Sequence, residues 1–456
     1  MTASTVPQND LSKRRIKVAV LVGALEVGGA ELDIVRNFPR LNRSEFEVVV
    51  VSFGTRGALA SELERQGIPV IARRADESAP RWLLPRRPQA GAEGVRQDQG
   101  PSDSTSSASP KAPRRPLRQV LFGVPPLSWV ARPIGAALYI ARVTLWVGKT
   151  LNAEKVDIAH FFLPHSYAYG MFATAFMRPN TKCVMSRLSL NFYKDSHKLI
   201  AWLERNLLHQ RVDLAIGNST TILEELIEEG VDPSRVRLLY NGIDPAPLLR
   251  HEGDRARARD ALGLEADAFV IAAVGNLHTY KGHGDLIEAC WRVREQLPER
   301  WQLLIAGRDE AGNRAVYEAL IAERGLGDHV RLLGACDTVP QLLFAADVFA
   351  HPSHHEGLPN AIIEAMAASL PTIGTTVGGI PEVVRSAGDP EETGWLVPPS
   401  DPDAMAAALL QAAADPSRRR AMGARARERV EAQFSLERSV SMYESIYREL
   451  MFPADD

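Results

Sequence analysis

The stretch His351-Pro-Ser-His-His-Glu356-Gly-Leu-Pro-Asn-Ala-Ile-Ile-Glu364-Ala-Met-Ala367 puts two carboxylates on either side of the start of a helix. Pro359 suits the first helical position, and Ala361 to Ala368 is strong helix-forming sequence. Backbone N–H groups around Gly357 to Ala361 then lack intrahelical partners and carry the positive end of the helix dipole, which suits a phosphate. Glu356 lies just before that anion site and Glu364 about one turn inside it. A sugar, a diphosphate and a ribose in a row fit this layout. The plainer reading of the two acids is a dipole partner and a solvated face residue. The sequence that follows weighs against it. In Ser369-Leu-Pro-Thr-Ile-Gly-Thr-Thr-Val-Gly-Gly-Ile-Pro-Glu382, a short strand at Thr372 to Thr375 runs into a Gly378-Gly379 turn and then another helix. Two successive turns of this kind form one pocket rim of an open α/β sheet.

Outward from there, short β-branched runs alternate with helical patterns. Ile16–Val22, Glu47–Ser52, Val156–Phe162, Cys183–Ser186 and Val212–Gly217 read as strands, with helices such as Glu31–Leu41 and Thr220–Glu229 between them. A second set follows at Phe269–Gly275, Gln302–Gly307, Val330–Gly334, Asp347–His351 and Thr372–Thr375. Strand–helix alternation predicts parallel sheets. Asn241-Gly242 is a turn signal, and the charged, weakly apolar stretch from Asp244 to about Ala261 marks the hinge. Two domains are expected, residues 1–245 and 246–434, followed by an amphipathic helix over 435–456.

Composition fits that class. The 456 residues are 45% hydrophobic and 24% charged, with a net charge of −3 that gives no reason to expect nucleic-acid binding. Cys183, Cys290 and Cys336 are too far apart for a metal or redox motif. Met1 to Lys17 is polar, then basic, with no apolar core, so a secretory signal is not expected and a cytoplasmic setting is.

The segment from about 73 to 153 stands apart. Ala75 to Pro116 is rich in Pro, Ser, Gly, Gln and Arg and cannot bury a core. From Leu117 the chain becomes apolar, with Phe122 and Trp129. Between Asp103 and Glu154 it has no acid but carries Lys111, Arg114, Arg115, Arg118, Arg132, Arg142 and Lys149. Leu117–Arg132 therefore suits docking on an anionic membrane surface. Ile134 to Val147 is too short to span a bilayer. Pro133 to Leu151 also reads as an ordinary domain helix.

The motifs together resemble the retaining nucleotide-sugar glycosyltransferases of family four. The resemblance rests on Glu356 and Glu364 with Pro371 and Gly378-Gly379-Ile-Pro-Glu382. It extends to Gly28-Gly29-Ala-Glu31, Gly217-Asn-Ser219 through Tyr240-Asn-Gly-Ile-Asp244, Val274-Gly-Asn-Leu277 to Lys281-Gly282, Leu304-Ile-Ala-Gly307 and Val330-Arg-Leu-Leu-Gly334. It covers most of the chain. It implies the GT-B fold: two facing Rossmann-like domains, with the C-terminal helix crossing back to the first.

By this resemblance a UDP- or GDP-sugar is the donor, held without a metal or other cofactor. No DxD-like motif stands at a strand end. Lys281 is the cation of the phosphate clamp, and Asn276 stands where family members often carry Arg, leaving His278 or Arg308 to supply a second positive group. Gly357, Leu358 and Pro359 hold phosphate, Gly29 lets the first domain close, Glu364 takes the ribose diol, and Glu356 faces the donor sugar. Family members often have a functional His at the position of Phe162; here the neighbouring candidates for orienting the acceptor hydroxyl are His165 first and His160 second, with Arg187 for an anionic acceptor. The activity implied is transfer of a sugar to a glycan or lipid-linked acceptor in cell-surface polysaccharide or glycolipid synthesis. A GT-B nucleotide-sugar epimerase and a non-catalytic scaffold are the alternatives. Two glutamates can also serve a glycosidase, but an acid on the first turn of a phosphate-type helix suits nucleotide binding better.

Overall fold

A computed structural model of the chain describes residues 14–453 apart from 27, 55, 74–124, 163, 178–179, 191–201, 337 and 387; of residues 125–136, 164–165 and 176–177 it describes the backbone alone. Two all-parallel sheets organise it. The first contains β1 (Ile16–Val22), β2 (Phe46–Ser52), β3 (Val70–Ala72), β4 (Ile158–Phe162), β5 (Lys182–Arg187), β6 (Leu214–Gly217) and β7 (Val236–Leu238), in the order β3-β2-β1-β4-β5-β6-β7. The second contains β8 (Phe269–Val274), β9 (Trp301–Ala306), β10 (Val330–Gly334), β11 (Val348–His351), β12 (Thr372–Thr375) and β13 (Gly394–Val397), in the order β10-β9-β8-β11-β12-β13. Runs such as Val48-Val-Val-Val51 become central strands because both faces of a parallel sheet are covered by helices. Both sheets are doubly wound. In each, strand order reverses beside the first strand, and the crevice above the carboxyl ends opens there, between β1 and β4 and between β8 and β11. This is the two-domain architecture that the sequence predicts.

The strands that the sequence leaves unmarked are β3, β7 and β13, all short and at sheet edges. Edge strands of three or four residues carry too little pattern to stand out. The linker also differs from expectation. Helix Asp254–Leu262 lies inside the predicted hinge, yet Ala258 joins the second core, and Arg255 and Arg259 donate to Asp347 at 2.7 and 2.8 Å. The crossing is therefore shorter. Ile243 runs beside the returning chain, donating to Phe434 O at 3.0 Å and accepting from Leu436 N at 2.9 Å.

The C-terminal helix, Leu436–Met451, crosses back to the first domain. Its apolar face (Leu436, Val440, Tyr443, Ile446 and Tyr447) joins the core formed by β1 and β2. Tyr443 Oη donates to the buried Asp33 at 2.9 Å, and Arg448 donates to Glu45 at 2.6 Å. Helix Pro125–Ala153 packs on the other face of the first sheet through Val143, Val147 and Leu151. The ordinary-helix reading thus holds for this part. Leu138, Arg142, Leu145 and Lys149, spaced along the opposite face, are exposed. The expected membrane-docking segment lies partly outside the described residues: nothing is described of 117–124, and only the helical backbone of 125–132. Among the described residues, no helix is long and apolar enough to cross a membrane.

Candidate active site

Glu356 and Lys281 come from the loops that follow β11 and β8, the two strands flanking the reversal of the second sheet. Lys281 ends a short 3-10 turn, Thr279–Lys281. Gly282 then adopts φ +68°, and a Cβ there would lie 2.0 Å from Pro352 O, so only glycine lets the two loops close on each other. His354 N donates to Tyr280 O at 2.7 Å across the same contact. The result is a salt bridge between Lys281 Nζ and Glu356 Oε1 of 2.6 Å. His351 Nε2 and Ser353 Oγ also donate to that oxygen, each at 2.7 Å. Burial alone would push the Glu356 carboxyl up. The hydrogen bond from His351 and the charge of Lys281 more than offset it and hold the group at about 2. Glu356 is therefore an ionised, largely buried acceptor at the cleft floor.

Helix Asn360–Ala367 starts one residue later than the sequence suggests: Pro359 is its N-cap, with ψ 111°, and the cap is not closed by a side chain. A capping proline has no hydroxyl or carboxylate with which to satisfy the first-turn N–H groups, so the terminus retains its affinity for an anion. Gly357 packs beneath the first domain, where a Cβ would meet Leu188 O at 2.6 Å, and Leu358 is buried. Gly378, at φ +51°, brings the following turn against Glu356 O. Two successive glycine turns thus meet at Glu356.

Glu364 faces the first domain. Its Oε1 accepts from Arg36 Nη2 at 2.9 Å, so the carboxylate expected to take a ribose diol is paired across the cleft. Arg36 lies on helix Gly29–Asn37, which begins at the predicted glycine loop with Gly29 exposed at its first position. Asn276 accepts from the Arg308 backbone N–H at 3.3 Å, and the Arg308 side chain lies 3.5 Å from Glu310. His278 is 4.0 Å from the same glutamate, so both candidates for a second positive group have an acid beside them.

The acceptor-side candidates separate. His165 sits in the first turn of helix Pro164–Met177, directly after β4, and its side chain lies outside the described residues. His160 is fully buried: Nδ1 is 2.6 Å from Tyr447 Oη and Nε2 is 2.7 Å from Ser186 Oγ. Burial pushes its pKa down to about 3. With both nitrogens engaged by protein and no exposed surface, His160 packs beneath the C-terminal helix instead of facing an acceptor. Arg187 is also buried, with Nη1 2.6 Å from Glu229. Glu204, His209 and Glu229 form a buried group whose ligand-type atoms lie within 4.8 Å of one another. Arg187 already supplies a cation to it, so it reads as an internal charge cluster.

Several contributors escaped the sequence reading: His351 and Ser353 at Glu356, Arg36 at Glu364, and a set that joins the domains. Glu382 accepts from Thr220 N, Thr220 Oγ1 and Tyr240 Oη at 2.8, 3.1 and 2.9 Å, and Asn241 Nδ2 donates to Asn360 Oδ1 at 2.9 Å. Tyr240, Asn241 and Glu382 lay within quoted motifs, but no spacing rule links residues more than a hundred positions apart.

The site can be set beside known proteins. The profile "Glycosyl transferases group 1" matches residues 254–429, and "Glycosyltransferase Family 4" matches residues 105–247. The chain is 27% identical over 290 residues to N-acetyl-alpha-D-glucosaminyl L-malate synthase of Bacillus anthracis, covering 57% of this chain and 74% of that protein. It is 33% identical over 235 residues to D-inositol 3-phosphate glycosyltransferase of Kineococcus radiotolerans, covering 49% and 54%. The chain thus spans about half the length of this second relative. Anabaena HepE in complex with UDP has the same fold, with a TM-score of 0.71 at 20% identity over 96% of this chain and all of that one. Sucrose-phosphate synthase from Thermosynechococcus elongatus does too, with a TM-score of 0.69 at 22% identity over 96% and 100%. With a family profile on each domain, two facing doubly wound sheets and a C-terminal helix returning to the first, the chain belongs to the family-four glycosyltransferases.

Proposed function

We propose that the protein is a retaining, metal-independent glycosyltransferase that moves a sugar from a nucleotide-diphosphate donor, a UDP- or GDP-sugar, to a hydroxyl of a glycan or lipid-linked acceptor. The observation that carries this reading is the Lys281–Glu356 pair, 2.6 Å apart, where the second sheet reverses and beside an uncapped helix N-terminus. Of the solved structures with this fold, HepE binds UDP and, in another structure, UDP-glucose. In the reaction the bond from the anomeric carbon to the diphosphate breaks and a bond to the acceptor oxygen forms. The acceptor's proton is released, and the nucleoside diphosphate leaves. Lys281 and the helix terminus neutralise the leaving charge. Glu356 orients the sugar hydroxyls, Glu364 takes the ribose, and His165, at the end of β4, is the acceptor-side candidate.

The setting proposed is cell-surface polysaccharide or glycolipid synthesis on the cytoplasmic side of a membrane. Its support is the acid-free sequence between Asp103 and Glu154 and the exposed Leu138, Arg142, Leu145 and Lys149. Each basic residue near an anionic surface contributes on the order of 1 kcal/mol. Changing Arg114, Arg115 and Arg118 to Glu should release the protein from anionic liposomes in flotation. A wild-type protein that floats with neither anionic nor neutral liposomes removes the membrane from the proposal.

The deciding experiment is a thermal-shift screen of UDP- and GDP-sugars, followed by NMR of the product with and without EDTA. A specific ligand at about 100 times its Kd adds roughly 2.7 kcal/mol of stability. Retained anomeric configuration and full activity in EDTA are expected. An inverted product, or activity lost to EDTA, defeats the reading, and free sugar from donor alone would favour the epimerase.

A further inference from the structure

Three donors converge on one oxygen of Glu356, and the other oxygen has none among the described residues. Lys281 Nζ, His351 Nε2 and Ser353 Oγ reach Oε1 at 2.6, 2.7 and 2.7 Å. The three are held differently. His351 is the last residue of β11, 4% exposed, its ring stacked on Phe349 with centroids 6.2 Å apart. Because an ionised carboxylate only accepts, His351 carries a proton on Nε2. Ser353 is fully buried, and its carbonyl accepts from Thr375 Oγ1 at 2.6 Å, which ties it to β12. Lys281 instead reaches Glu356 on a flexible four-carbon stem.

A donor's diphosphate competes for the same ammonium. It carries more charge than one carboxylate and draws Lys281 more strongly. Glu356 then needs other partners, or it is left as a buried charge with no counterpart. We propose that His351 and Ser353 are positioning residues that clamp Oε1 of Glu356, so that Oε2 faces the donor sugar and Lys281 is free to exchange from the carboxylate to the diphosphate. The inference rests on the reading of Glu356 as the residue facing the donor sugar.

The test compares His351→Ala, Ser353→Ala, the double variant and His351→Gln. It uses turnover of whichever nucleotide sugar the screen identifies and the Kd of UDP and GDP by calorimetry. A misplacement of about 1 Å costs on the order of 10²-fold in rate. The double variant should therefore lose about 10²-fold in kcat while its nucleotide Kd stays close to wild type. His351→Gln, whose amide can still donate, should recover most of the loss. In His351→Ala the acid side of the pH–rate profile should move up, since one of the influences holding the Glu356 carboxyl down is gone. A double variant with wild-type kcat, or one whose nucleotide affinity falls as far as its kcat, overturns the proposal. If His351→Ala does not fold, Ser353→Ala and His351→Gln decide: turnover must fall in the first and be largely kept in the second. Glu356→Gln separates the two levels. Wild-type turnover there removes the site assignment, whereas its loss alongside a fully active double variant removes only the clamp.

Discussion

His160 and His351 lie on corresponding strands of the two domains, the first mid-strand and the second at the strand's end. Each lies on the strand just beyond the point where its sheet reverses, β4 in the first and β11 in the second, and each is almost completely buried. Their surroundings give them opposite work. The C-terminal helix covers His160, whose nitrogens meet two hydroxyls, Tyr447 and Ser186. Among the described residues, no carboxylate hydrogen-bonds to it. His351 lies under a loop that turns back after two residues and delivers Glu356 to its Nε2. A histidine on a strand acquires its role from what folds over it.

The largest way to break this comparison is at the carboxylate. Glu356→Gln and Lys281→Ala should each lower kcat by about 10²-fold or more with the fold intact, because both act where charge moves in the reaction. Near-normal kcat in both variants would mean that the second-domain cluster is structural, like the one around His160.

The first domain should answer in stability instead. His160→Leu strands the Tyr447 hydroxyl and removes one partner of Ser186, and should cost about 1–3 kcal/mol, measured by denaturant titration, with kcat of the folded fraction little changed. A large loss of kcat without a stability cost would return His160 to the acceptor site. The pH dependence sharpens the point. His160 falls from 6.5 to about 3 on folding, so the folded chain refuses a proton that the unfolded chain accepts, and stability drops as pH falls from about 6.5 toward 3. Asp33, raised from 3.8 to about 6 by burial, acts in the opposite sense between those values, but its shift is the smaller of the two. The melting temperature of His160→Gln should therefore decline less than that of wild type between pH 6.5 and 4.

Contacts across the cleft should give the smallest effects. Glu382→Ala removes the acceptor for Thr220 and Tyr240 and should loosen the domain pair by about 1 kcal/mol, seen as a larger radius of gyration in solution scattering. Arg36→Gln breaks a partly exposed ion pair and should change stability by less than about 1 kcal/mol. UDP or GDP should bind at least as well to it, since Glu364 is then free to bridge the ribose diol. Weaker binding would place Arg36 itself in the donor site.

Much of the fold was readable because its signals are local. Most central strands are rich in valine, isoleucine and alanine, and Ile16–Val22 and Thr372–Thr375, like the five-residue edge strand Val330–Gly334, fall where the sequence places them. Ser219 caps helix Thr220–Glu228 by accepting from Ile222 N, a signal contained in a few residues. The edge strands β3, β7 and β13 were not readable, because a short half-paired segment gains little from periodicity. Helix Asp254–Leu262 looked like linker because its exposed face is charged; its buried contacts run through Ala258 and through Arg259, whose buried guanidinium donates to Ala345 O, Ala266 O and Asp347.

By itself, the sequence determined two parallel α/β sheets, the order of their main elements, and the placing of Glu356, Lys281 and the glycine turns at strand ends. These follow from side-chain periodicity, backbone freedom and helix-end chemistry, all set within a few residues. Tertiary structure alone decided which groups those residues meet: His351 and Ser353 on Glu356, Arg36 on Glu364, Tyr447 on His160 and Glu229 on Arg187. The physical reason is reach. Hydrogen bonds and ion pairs act over about 3–4 Å, and only the packing of two sheets and a returning helix brings residues as distant as Arg36 and Glu364, or His160 and Tyr447, within that distance.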